Sequence, residues 1–287
     1  MRNREPAESL DRSPRESFIT VYGRMPVLEV LQNRDLQVDK LVVADSARGE
    51  NLDRILDLAD RRGVPVQHAT AHRVKVLAGN GKHDQGIIAD VVAPRMRNIA
   101  EFARDSQSRR TSRVLILDGV NNPANVGMII RAATGAGMSG IVLPRVGSPG
   151  IDPLVIKASA GVAYRAAVIW ARTGAESAET LREAGFRIYG LDGDARRSLY
   201  DDRVFAPKAA FVLGNETEGL SRATAALVDE WVAIPLEGGV ESLNVATAAA
   251  VLCFDLLRRK HAPVREGQAG PPVRGGQTTR QPKRPRR

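Results

Sequence analysis

Three short segments carry side chains suited to binding or activating a substrate. The first, Leu117-Asp-Gly-Val-Asn-Asn-Pro-Ala-Asn-Val-Gly-Met-Ile-Ile-Arg131, passes from an apolar stretch through a Gly/Asn/Pro loop into a helix that starts near Asn125, with Arg131 in its second turn. The second, Phe211-Val-Leu213-Gly214-Asn215-Glu216-Thr-Glu-Gly219, delivers an apolar stretch into a glycine-bracketed loop bearing a carboxylate. The third, Ile234-Pro-Leu236-Glu-Gly-Gly-Val-Glu-Ser242-Leu243-Asn244, opens a helix of small residues. A guanidinium can orient a phosphate and stabilise developing negative charge, while glycine lets backbone come close to a ligand. Each segment also has a purely structural account. Asn125, Ser242 and Asn244 are good helix caps, Arg131 could be a solvated side chain, and Glu216 suits the first turn of a helix, where the dipole favours an acid.

The elements that must position these residues alternate between strand and helix. From 114 onward, apolar runs at 114–117, 140–143, 187–191, 210–213 and 231–234 read as strands, and helices are expected near 125–136, 152–158, 175–184, 218–228 and 243–259. Near-continuous apolar strands separated by helices predict an α/β domain with a parallel sheet buried on both faces. In such a sheet, ligands sit at the carboxyl ends of the strands, where the second segment places Gly214 and Glu216. A smaller α/β unit precedes it, with helices around 25–31 and 52–59 and strands around 40–44, 64–66 and 86–92. The domain plan is therefore a tail at 1–17, a small domain at 18–93, an arginine-rich linker at 94–112 that holds a short helix near 99–103, a main domain at 113–260 and a second tail at 261–287. Both tails are polar and predicted to be disordered.

Charge is distributed unevenly along the chain. The formal net charge is +9, yet residues 261–287 hold seven basic side chains against the single Glu266, so six of those charges belong to the tail. Such a tail suits non-specific attraction to a polyanion, or serves only as a solvated segment. Aromatic residues make up only 4% of the chain, which disfavours an extended base-stacking platform. Cys253 is the only cysteine, so an intrachain disulfide or a cysteine metal cluster is excluded, and His68, His72, His83 and His261 lack ligand spacing. No metal is expected. The N-terminal residues do not read as a secretory signal, and no run approaches the roughly 18–20 apolar residues of a membrane span, so a cytoplasmic location without membrane contact is expected.

Gly135-Ala-Gly137-Met-Ser-Gly140 spells the glycine pattern of a dinucleotide loop. That fingerprint has meaning only between a strand and the helix it opens. Here the glycines close a helix and lead into a strand, so a C-cap and turn is the better account and a nucleotide-dependent oxidoreductase is disfavoured.

Taken in order, Asn125 to Arg131 (Asn-x-Gly-x-x-x-Arg), Gly214 to Gly219 (Gly-x-Glu-x-x-Gly) and Ser242 to Asn244 (Ser-Leu-Asn) resemble the three motifs of the SpoU, or TrmH-like, RNA 2'-O-ribose methyltransferases of the SPOUT superfamily, over about 114–259. Lys157-Ala-Ser-Ala-Gly161 resembles a looser landmark of that family. The first unit, opening Val21-Tyr-Gly-Arg-Met-Pro and closing His83-Asp-Gln-Gly-Ile-Ile-Ala, looks like the L30e-like substrate-binding domain of rRNA-modifying members. The resemblance implies a fold with a C-terminal trefoil knot, a homodimer, and methyl transfer from S-adenosylmethionine, leaving S-adenosylhomocysteine, to a ribose 2'-hydroxyl. It implies that Arg131, Asn125, Glu216, Ser242 and Asn244 form the catalytic set. Leu213, Gly214, Asn215, Glu216, Gly219, Ile234, Leu236, Ser242, Leu243 and Asn244 would hold the donor. Among substrates it favours rRNA over tRNA, and within rRNA a guanosine of the large subunit. Methylation of tRNA, antibiotic-resistance methylation of rRNA and a non-catalytic RNA-binding protein are the alternatives.

Overall fold

The computed structural model describes residues 18–79 and 84–261; 1–17, 262–287 and His83 lie outside the described residues, and with them both predicted disordered tails apart from His261. The first unit comprises β1 (Phe18–Tyr22), α1 (Arg24–Gln32), β2 (Val38–Ala44), α2 (Glu50–Arg61), β3 (Val66–Ala69), α3 (Ala71–Ala78) and β4 (Ile87–Val92). Its strands form one sheet in the order β1-β4-β2-β3, with β4 antiparallel to both neighbours and β2 parallel to β3. The helical spacing of Leu52, Ile55 and Ala59 buries that face of α2. Helix α3 was absent from the sequence expectation, although its stop signals are plain. The Thr70 side chain caps the helix by accepting from Arg73 N at 3.3 Å, and Gly79 ends it in the left-handed conformation.

The second unit comprises β5 (Arg97–Asn98), α4 (Ile99–Gln107), β6 (Ser112–Leu117), α5 (Pro123–Gly135), β7 (Gly140–Pro144), α6 (Pro153–Ala158), β8 (Val168–Ala171), α7 (Gly174–Glu183), β9 (Arg187–Leu191), β10 (Arg197–Ser198), β11 (Lys208–Leu213), α8 (Arg222–Ala225), β12 (Glu230–Ala233) and α9 (Val245–His261). A single eight-stranded sheet runs in the order β10-β12-β9-β11-β6-β7-β8-β5, and every neighbouring pair in it is parallel. Its central strands are buried on both faces, with Val114 to Leu117 and Ala209 to Val212 all fully covered.

The segment read as a linker, 94–112, packs onto this sheet. Strand β5 pairs with β8, and Ile99 and Phe102 of α4 enter an apolar cluster with Ile116, Ile169 and Leu181. Helix α5 begins two residues before the predicted start, because Asn122 caps it by accepting from Ala124 N at 2.9 Å and Pro123 occupies its first position. Asn125 is thus inside the helix. The predicted helix at 218–228 shrinks to α8, since Gly219 adopts a left-handed φ of 68° and Ser221 caps only the turn that follows. In the dinucleotide-like stretch, a Cβ on Gly140 would run into the Ile169 side chain. Those glycines end a helix and let β7 pack against its neighbour.

The two units share one apolar cluster, running from Ile19 and Val27 through Ala93 and Met96 to Val126 and Leu252. Where they meet, the Tyr164 phenol is pushed above its usual range by burial and then by the Glu29 carboxylate.

Candidate active site

The chain reaches β6, β7 and β8 on one side of the large sheet and β11, β9 and β12 on the other, so β6 and β11 flank its switch point. Leu117 and Leu213, the last residues of those strands, stand in register. Both leading motifs therefore leave the sheet side by side, at the place where an open α/β sheet accepts a ligand.

Several bonds tie the two exit loops together. Asp118 N donates to Leu213 O at 2.8 Å, Ser221 N to Asp118 Oδ2 at 2.8 Å, and Asn215 Nδ2 to Gly119 O at 3.1 Å. Asn215 and Gly219 exchange backbone bonds at 2.9 and 3.0 Å, closing the loop into a hoop. Gly214 has no room for a side chain, because a Cβ there would overlap the carbonyl of Gly219 and come within 2.7 Å of Leu220 N. The glycine of the first motif has a different task. A Cβ on Gly127 would stand 2.5 Å from that of Ala158 and 2.6 Å from Val155 O, so its absence lets α6 lie directly on α5.

Three motif side chains form one chain of hydrogen bonds. Asn125 Nδ2 donates to Glu216 Oε1, Asn244 Nδ2 donates to Asn125 Oδ1 at 3.1 Å, and Asn244 Oδ1 accepts from Ala246 N at 2.9 Å and Thr247 N at 3.3 Å. Both ends fix the direction of the chain. A carboxylate only accepts and a backbone N–H only donates, so each amide has one orientation that satisfies its neighbours. Asn125 is 5% exposed, and turning its amide over would set donor against donor and acceptor against acceptor in a nearly dry place. Asn244 also caps α9, as its sequence position suggested.

At the rim of this network, at the ends of β9, β11 and β12, lies an open cavity of about 180 Å³. Leu213, Gly214, Asn215, Glu216, Gly219, Ile234, Leu236, Ser242 and Leu243 line it. Asn244 does not, standing just behind Leu243 in the bonded chain. The motifs gave no sign of Leu191, Asp192, Gly193, Val232 and Glu241, which also form the wall. Leu191, Asp192, Gly193 and Val232 reach it because β9 lies between β11 and β12, and Glu241 because it directly precedes Ser242. Aliphatic walls, a loop whose Gly214 must lack a Cβ, and exposed carboxylates together fit an adenosyl group with a charged tail, so the residues present suit S-adenosylmethionine.

Arg131 lies elsewhere. Six residues beyond Asn125 on an α-helix is about 240° round and about 9 Å along the axis, so the two side chains leave α5 on different faces. Arg131 is exposed and has no hydrogen bond or ion pair with another described residue. It borders a second concavity with Met128, Ala132, Ala158, Arg165 and Phe254, in which Met128 is 44% and Phe254 50% exposed. Among the described residues no group of three His, Cys, Asp or Glu side chains could hold a metal ion, and no helix is long and apolar enough to cross a membrane.

The chain is similar to known proteins along both units. Residues 112–254 match the model of the SpoU rRNA methylase family, and residues 20–97 match that of the RNA 2'-O ribose methyltransferase substrate-binding domain. The chain is 33% identical, over 84% of its length and 96% of the relative's, to the 23S rRNA (guanosine-2'-O-)-methyltransferase RlmB of Xylella fastidiosa. Against the enzyme of the same name from Vibrio parahaemolyticus it is 30% identical, covering 84% of this chain and 97% of that one. The SpoU methyltransferase AviRb of Streptomyces viridochromogenes, solved in complex with AdoMet, shares the fold with a TM-score of 0.59 at 23% identity, over 86% of this chain and 91% of that one. A three-motif site at the switch point of a parallel sheet, a separate substrate-binding unit and relatives matched along nearly their whole length lead to one conclusion: the chain belongs to the SpoU rRNA methylase family.

Proposed function

We propose that this chain is an S-adenosylmethionine-dependent methyltransferase acting on the ribose 2'-hydroxyl of a guanosine in 23S rRNA. The observation that carries this reading is the bonded chain Asn244–Asn125–Glu216, which joins the three motifs at the rim of the cavity. The substrate class comes from the relatives named for that reaction, which this chain matches across both units. In this reading, residues 18–93 bind RNA and residues 113–260 carry out the transfer.

When bound, S-adenosylmethionine would supply an electrophilic methyl on a sulfonium, for transfer to a ribose 2'-oxygen. Leu213, Ile234, Leu236 and Leu243 enclose the adenosyl group, and the Gly214 loop offers it backbone. Glu216 is held by Asn125, which Asn244 fixes in turn, so the acceptor side of the cavity is set before RNA arrives, and such positioning can contribute several kcal/mol. Ser242, exposed at the rim, is placed to bond the incoming ribose. Arg131 orients the nucleotide phosphate and stabilises developing alkoxide charge, a role that suits a permanently protonated guanidinium better than that of a base.

Because Arg131 faces away from its own cavity, beside exposed Met128 and Phe254, we read that face as a homodimer interface, so that the working site draws on both subunits. Contiguous exposed apolar surface marks an interface, and Met128 and Phe254 contribute to such a patch beside the concavity. The family's knotted threading is part of the same reading, supported by the way the chain steps from β11 past β9 to β12 and then returns along α9 to pack on α5.

The test supplies labelled S-adenosylmethionine with unmodified 23S rRNA, 16S rRNA and tRNA in separate reactions and maps the product. Label at the 2'-oxygen of one guanosine in 23S rRNA is expected; label on tRNA alone would overturn the substrate assignment.

A further inference from the structure

The cavity read as the donor site is lined by three carboxylates, Asp192, Glu216 and Glu241, and by no lysine, arginine or histidine. Of the basic groups nearby, Arg197 and Arg187 pair with Glu230 at 2.9 and 3.1 Å and Arg203 with Asp201 at 3.1 Å, while Arg196 borders the adjoining concavity that Asp192 shares and does not line this cavity. None of the three cavity carboxylates is in an ion pair with a described residue. Asp192 accepts from Asp194 N at 2.8 Å, and Glu216 accepts from Asn125. Asp192 and Glu241 come from different loops that approach closely, since a Cβ on Gly193 would lie 3.6 Å from the Glu241 carbonyl. Like charges gathered in an apolar-walled concavity focus their field on whatever occupies it.

S-adenosylmethionine carries a sulfonium and an ammonium against one carboxylate, a net positive charge. Once the methyl has left, the thioether product is net neutral. We propose that Asp192 and Glu241, together with Glu216, make the cavity a charge filter that holds the sulfonium donor in preference to its thioether product. This rests on reading the cavity as the donor site. Transfer removes one of the two positive charges in that field and leaves the ammonium, so the product loses part of its hold in the step that forms it, and a fresh donor displaces it.

The experiment is calorimetric titration of the full chain with S-adenosylmethionine, S-adenosylhomocysteine and sinefungin, in which a protonated amine replaces the methylsulfonium. Wild type is compared with the double variant Asp192→Asn/Glu241→Gln and with the charge-conserving Asp192→Glu/Glu241→Asp. The double variant is expected to bind both cationic ligands about three- to tenfold more weakly and the product with little change, as suits partly exposed charge pairs. The wild-type preference should also shrink as salt rises. The charge-conserving variant should keep the preference, separating charge from damage to the loops. Equal weakening of all three ligands would overturn the filter, because the carboxylates would then be bonding groups that the ligands share. No change for any ligand would overturn it as well. Failure of wild type to bind any of the three would overturn the donor-site reading itself, and the filter with it.

Discussion

The cavity at the ends of β9, β11 and β12 and the concavity beside Arg131 are built in contrasting ways. The first is finished within one chain, with aliphatic walls, a glycine hoop that admits no side chain and a network in which every amide has one orientation. The second is an open bay lined by α5, α6, α9 and the turn that holds Arg165, with two exposed arginines and two half-exposed apolar side chains. The motif Asn-x-Gly-x-x-x-Arg feeds both, because its spacing turns Asn125 toward the finished site and Arg131 toward the open one. One helix thus joins the preorganised cavity to the open face that we read as the subunit interface.

Removing Arg131 tests this contrast most severely. Arg131→Ala is expected to lower kcat/KM for methyl transfer by at least about 100-fold, as for loss of a single group that stabilises developing charge, while Arg131→Lys keeps part of the activity and calorimetry finds the donor affinity unchanged. Full activity in the alanine variant would sink the role given to Arg131. Gly214→Val probes the finished site from the other direction. The new side chain must displace the Gly219 backbone, so donor binding should weaken at least about tenfold, in line with overpacking of one to a few kcal/mol. Phe254→Asp should shift sedimentation toward monomer and depress activity with donor affinity retained; an unchanged oligomeric state would remove this face as the interface. Asn125→Ala leaves Glu216 and Asn244 without their bridge and should cost about 1–3 kcal/mol of stability, read as a lowered Tm, together with reduced turnover.

The smallest effect concerns pH. Burial pushes the Cys253 thiol from its ordinary 9.0 up to about 12. An acid whose folded pKa is raised stabilises the fold while it keeps its proton, so this contribution is whole below about pH 9 and fades as pH climbs toward 12. Denaturant midpoints should therefore be flat across neutral pH and fall in the alkaline range, less steeply in Cys253→Ala.

What the sequence revealed followed the strength of its periodic signals. Runs such as Val114 to Leu117 and Ala210 to Leu213 are apolar without a break, short and bounded by turn residues, and so read as buried strands. Strands β5 and β10 have two residues each, too few to show any period, and β8 was lost among the alanines before it. Helix α5 was misplaced by two residues because Asn122 and Asn125 are both competent caps, and it was Pro123 that should have decided between them. The motif glycines were legible as close approaches, but not what they approach. Asp192 carries no local mark, for it belongs to the cavity only through the crossing order of β9, β11 and β12, whereas Glu241 stands directly before Ser242 and could have been read from that neighbour. Arg131 could have been set apart from Asn125 by counting helical turns alone.

Asn244 holds two posts, capping α9 with its oxygen and meeting Asn125 with its nitrogen. Whatever settles in the cavity and steadies that amide must also steady the first turn of the last helix, by the same free energy read from the other end. Hydrogen exchange at Ala246 and Thr247 is thus a reporter of occupancy, a slow clock at the mouth of α9 that a bound donor would make slower still.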